Sequence, residues 1–153
     1  MAFAIRTTLE AIQSHVNSSG YVSECIIGEY TSAPMPSGLG IAASVIPMRE
    51  ETVMAFGATT RELHTVLLRL YRDWLSEPAS SRDLPLEEAK GVILANLKGD
   101  LDLEGAAMSL DIAGMHSGGY SADWGRVEIG STIFRVIDMT LPVIVDDSTA
   151  ISA

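Results

Sequence analysis

Apolar positions follow two rhythms along this chain. Ile5, Leu9, Ile12 and Val16 recur at intervals of four, three and four, which lines one face of a helix. Asn17-Ser18-Ser19-Gly20 supplies turn formers that end it. Tyr21 to Ile27 is rich in β-branched and aromatic residues and reads as a strand. Residues 31–38 hold Pro34, Pro36 and Gly38 and read as a loop. Leu39 to Met48 is extended and apolar, and Pro47, with no N–H to give a ladder, predicts the strand's end or an edge. Arg49 to Thr60 contains Glu50-Glu51-Thr52 and Gly57-Ala58-Thr59-Thr60 and reads as a second long loop.

Arg61 to Leu75 fits both rhythms. Leu63, Leu67, Leu70 and Trp74 suit a helix, whereas the run from Leu63 to Tyr71 also suits a strand buried on both sides. Periodicity alone does not decide. Ser76 to Asp83 is a polar connector. Leu84-Pro85-Leu86-Glu87-Glu88 then opens a second helix, with proline and acids in its first turn. Leu86, Ala89, Ile93 and Leu97 form its stripe, and Gly99 suits its end. Val127 to Ile129 and Thr132 to Ile137 flank Gly130-Ser131, a pair suited to a two-residue hairpin turn. Leu141 to Val145 continues the extended run. The pattern predicts one α+β domain over residues 1–147, with two main helices packed on a largely antiparallel sheet and a flexible tail over 148–153.

Length and charge narrow the function. A chain of 153 residues suits one domain with a real core. Its net charge is −10, and its ten Lys and Arg are scattered along the sequence. Grip on nucleic acid needs clustered cations that displace counterions, so sequence-specific DNA binding and membrane-surface binding are disfavoured. The N-terminus has no basic start and no long apolar core, so no signal peptide is expected. Cys25, alone between apolar neighbours, reads as a small buried hydrophobe.

Few motifs point to chemistry. Gly38-Leu39-Gly40 with Ala43 loosely matches a dinucleotide fingerprint, but a proline-rich loop precedes it and no helix follows, so no cofactor is expected. Asp100, Asp102, Glu104 and Asp111 sit at positions 1, 3, 5 and 12 of a calcium-type loop, with Gly105 at position 6. Asp at position 12 is shorter than the usual Glu, and a strand rather than a helix is expected afterwards, so this is a weak candidate. His15, His64 and His116 lack zinc-ligand spacing. No nucleophile elbow occurs. An enzyme is not expected.

Three segments carry a resemblance. They are Leu63-His-Thr-Val-Leu-Leu-Arg-Leu-Tyr-Arg72 with Ser76-Glu-Pro78, Leu94 to Gly105, and Ala122-Asp-Trp-Gly to Val145-Asp-Asp147. In this order they resemble tail terminator proteins of long-tailed bacteriophages infecting actinobacteria, over a little more than half the chain. The resemblance makes Arg61 to Tyr71 a strand. It implies a non-enzymatic virion protein, made in the host cytoplasm and placed at the head-proximal end of the tail. The expected assembly is a homo-oligomeric ring, a hexamer, that caps the tail tube and joins it to head-completion or neck proteins. A ring closes through two different patches on each subunit. Tyr30, Pro34, Met35 and Pro36 in the first loop and Met54 and Phe56 in the second are the candidate contacts with neighbouring subunits and the tube. Six copies would carry about −60, which would let genomic DNA slide through the lumen without sequence-specific binding. A neighbouring neck or tail tube protein is the alternative within the same virion, and a small calcium-binding domain is the alternative outside it.

Overall fold

A computed structural model describes residues 2–31, 40–56, 59–74, 79–100, 109–114 and 117–146. Helix α1 spans Ala2–Asn17 and strand β1 Val22–Ile27. Strands β2 (Ile41–Phe56) and β3 (Thr59–Asp73) form a long hairpin, and helix α2 spans Ala79–Lys98. Strands β4 (Ser109–Leu110), β5 (Ser121–Ile129) and β6 (Thr132–Asp146) follow. The fold is α+β: two helices and one mostly antiparallel sheet. Only β1 and β2 pair in parallel. β2, β3 and β6 are antiparallel neighbours, and β5 and β4 share the far edge of β6.

The helices cover one face of the sheet. Leu9, Ile12 and Val16 of α1 and Leu86, Ala89, Ile93 and Leu97 of α2 pack there against Ile41, Ala43 and Val45 of β2, Val66, Leu68 and Leu70 of β3, and the odd-numbered core positions from Ile137 to Val145 of β6. Both stripes predicted from spacing therefore face the core. α1 stops where Ser18 and Ser19 turn back onto the carbonyls of His15 and Val16 through their hydroxyls, and Gly20 takes φ 82°. That left-handed value favours glycine at a helix end. The other face carries a smaller cluster of Ala42, Tyr71, Phe134 and Val136. Beside it, Arg69 donates two hydrogen bonds to Asp138, its direct cross-strand partner. Among the described residues no helix is long and apolar enough to cross a membrane.

Three boundaries differ from those read in the sequence. The second loop over 49–60 is strand over Arg49–Phe56 and from Thr59 onwards. Pro47 does not end β2 but lies on its outer edge beyond the last pairing with β1, the other reading that its missing N–H allowed, and a register shift between Pro47 and Arg49 follows it. A bulge lets a proline sit in a strand without breaking the ladder beyond it. Helix α2 starts at Ala79, so the polar connector is helical from Ala79 onwards and Pro85 lies inside the helix. Its ring fixes a helical φ, and the single bond it forgoes, to the carbonyl of residue 81, lies near the helix start. β5 starts at Ser121, six residues before the expected strand. The segment 61–73 is strand, as the resemblance implied. The loop 31–38 lies outside the described residues except for Thr31, and the tail 148–153 lies wholly outside them.

Candidate functional site

The hairpin β2–β3 runs past the end of β1. β1 pairs with β2 only from Ile41 to Val45, whereas β2 continues to Phe56. Among the described residues no strand pairs with the outer edge of β2 beyond Val45. Residues 47–52 are all exposed. This stretch is therefore an edge strand, backed by β3 and β6, with unused backbone donors and acceptors on its outer side, a surface that readily accepts another strand.

A polar cluster sits at the base of this projection. Strand alternation puts His64 on the same face as Val66, Leu68 and Leu70, towards the helices. Strict alternation from Ile41, Ala43 and Val45 would turn Arg49 and Glu51 to that face. The extra residue at Met48 reverses this, because Pro47 pairs with Val66 while Arg49 pairs with Thr65. Glu50 consequently stands directly across from His64. Glu62, two residues before His64 on the same strand, lies on the same face. His64 Nε2 lies 3.1 Å from Glu62 Oε2, and His64 Nδ1 lies 3.7 Å from Glu50 Oε2. The His64 side chain is 8% exposed and that of Glu62 13%, but Glu50 stays in water at 62%. An open cleft of about 370 Å³ adjoins them, lined by Ile5, Pro47, Met48, Arg49, Glu50 and His64. The set offers one imidazole and two carboxylates, a donor group suited to a cation. It has no nucleophile.

A second cluster lies at the opposite end of β3. Arg72, Arg135 and Arg126 occupy one row across β3, β6 and β5. Three of the ten basic residues that are scattered in the sequence thus meet in space. Both tryptophans interleave with them. Arg135 lies 4.7 Å from the Trp124 ring centre, and Arg126 lies 5.8 Å from that of Trp74. Like charges directly across a ladder repel. The aromatic faces and Asp83, which accepts from Arg135 Nε at 3.3 Å, offset that repulsion. Arg72 is buried at 8% exposure, and burial lowers its pKa from the ordinary guanidinium value.

The residues singled out in the sequence are spread across the fold. Tyr30 packs edge-on against Tyr71 at 5.3 Å on the face away from the helices. Its hydroxyl donates to the carbonyl of Ala43 at 3.4 Å. Met54 and Phe56 lie on the projecting part of β2, paired with Arg61 and Thr59. Pro34, Met35 and Pro36 lie outside the described residues, as do Asp102, Glu104 and His116. Of the calcium-type loop, Asp100 accepts from His15 Nε2 at 2.7 Å and Asp111 accepts from Ser117 Oγ at 2.7 Å. These two acids are held by side chains from different parts of the chain.

No family model matches the chain, and no curated protein matches it. The site is accordingly read from geometry. Sequence reasoning missed Glu50, Glu62 and His64 as a group, because a bulge decides which way Glu50 points. The one available signal was His64 between two acids, at i−2 and across a hairpin that was read as a loop.

Proposed function

We propose that the chain is a structural ring subunit of a bacteriophage tail, the tail terminator. The observation that carries this reading is the projecting hairpin with its unpaired β2 edge. A head-to-tail ring needs a surface on one side of the subunit that meets a different surface on its neighbour. An exposed strand edge is a ready donor of such contacts through strand addition.

The test is the size and shape of the purified protein, alone and with tail tubes. Sedimentation and negative-stain imaging should show closed rings, or protein capping tube ends. Thr52 and Glu62 are cross-strand partners, so residues 53–61 can be replaced by Asn-Gly without changing the remaining register. This variant should fold and yet form no ring and cap no tube. Rings formed by the shortened variant would remove the hairpin from the interface. Long polymers of the unmodified protein would point instead to the tail tube subunit.

A further inference from the structure

We infer that Glu50, Glu62 and His64 form a binding site for a divalent first-row transition ion, with zinc as the fitting probe. One ligand atom from each residue lies within 4.8 Å of the other two. A tetrahedral zinc site holds nitrogen and oxygen ligands at about 2.0–2.2 Å, which puts neighbouring ligand atoms about 3.4 Å apart. With His64 Nε2 as the imidazole ligand, its 3.1 Å separation from Glu62 Oε2 is close to that value, and Glu50 is the carboxylate that must swing in. Small rotations of the exposed Glu50 side chain close the remaining distance.

Three features of the cluster favour a cation. Its two carboxylates bring two negative charges to one imidazole, and among the described residues neither has a Lys or Arg within ion-pair distance. The His64 ring is held in place by burial, so a ligand is preorganised. The adjoining cleft leaves room for the water that completes an open zinc site. One imidazole with two carboxylates suits zinc or manganese better than calcium, which takes six to eight oxygens.

The inference stands independently of the ring assignment, since the site lies within one subunit. The ion would bridge β2 and β3 at the root of the projection and stiffen it. Titration calorimetry of the chelator-treated full chain with zinc chloride should give one site per chain. Glu62→Gln and His64→Ala should each weaken binding at least tenfold, and Glu50→Gln should weaken it measurably. Glu51→Gln, on the opposite face, should leave it unchanged. Cobalt substitution should give visible absorption of low-coordinate intensity, lost in Glu62→Gln. Circular dichroism separates loss of the site from loss of the fold, and Glu62→Gln preserves shape if His64→Ala does not fold. Absence of zinc binding to the unmodified chain would overturn the inference. So would full-strength binding by Glu62→Gln, because a surface acidic site elsewhere would then hold the ion.

Discussion

At the scale of single residues, backbone sign and burial make the sharpest demands. Gly130 has φ 63° at the turn between β5 and β6, and a Cβ added there would meet nothing within 4 Å. The cost of a side chain is then backbone strain alone. Gly130→Val should lower stability by about 1–2 kcal/mol. Gly119 has φ 79°, and its Cβ would lie 2.9 Å from the carbonyl oxygen of Ile112. Strain and collision add there, so Gly119→Ala should cost more than Gly130→Ala. Urea unfolding of the variants checks the order. Cys25 gives a chemical counterpart. Burial pushes its thiol up from 9.0 to about 12. Only the thiolate reacts with disulfide reagents, so the native chain at pH 8 should label slowly and the unfolded chain fast. The sign of the pH effect follows. The unfolded thiol ionises from about pH 9 while the folded one keeps its proton, so this residue's stabilisation is complete below pH 9 and declines towards pH 12. A Cys25→Ser variant whose stability falls equally over that range would assign the decline to other groups.

At the scale of elements, legibility depended on whether a segment has a dry side. α1, the stripe of α2 and the β5–β6 turn could be read because burial leaves a periodic trace. Ile12, Val16, Ile93 and Leu97 are fully buried, and their spacing shows it. The run 49–56 was read as loop because its first four residues, 49–52, are exposed on both faces and carry no alternation. Glu50-Glu51-Thr52 looks like a loop in any conformation. The start of α2 escaped for a similar reason, since Asp83, Leu84 and Pro85, just before the stripe begins at Leu86, are not buried. The cation cluster was masked by a still finer feature, the single extra residue at Met48. Deleting Met48 should remove the bulge and leave Glu50 opposite His64, because Pro47 and Arg49 then pair consecutively with Val66 and Thr65. Zinc binding should then persist while the core from Ile41 to Val45 keeps its packing, which calorimetry and a thermal melt together would show. Loss of binding in the deletion variant would mean that the shape of the bulge itself, and not only the facing of Glu50, builds the site.

At the scale of the whole molecule, the fold class was legible and the distribution of charge was not. Ten cations spaced along 153 residues gave no hint that Arg72, Arg135 and Arg126 line up. Register between distant strands brings them together, and register is written in pairings rather than in local composition. The same pairings make β6 the keystone. It takes β3 along one edge and both β5 and β4 along the other. A chain cut after residue 131 should therefore lack a cooperative unfolding transition, although both helices and β1 to β3 are present in it. A sharp thermal transition in that fragment would show that the α1, β1, β2, β3 and α2 layer is stable alone.

The late position of β6 also sets a schedule for synthesis. On the ribosome, β3 emerges about sixty residues before the strand that will cover its second edge. Its run from Val66 to Tyr71 is apolar, β-prone and carries only one charge, so for those seconds of translation it is the part of the nascent chain most prone to stick to another copy. The cell that makes this protein would thus meet its greatest aggregation hazard before the sheet closes, and crowded polysomes carrying the message are where chaperone dependence should be sought.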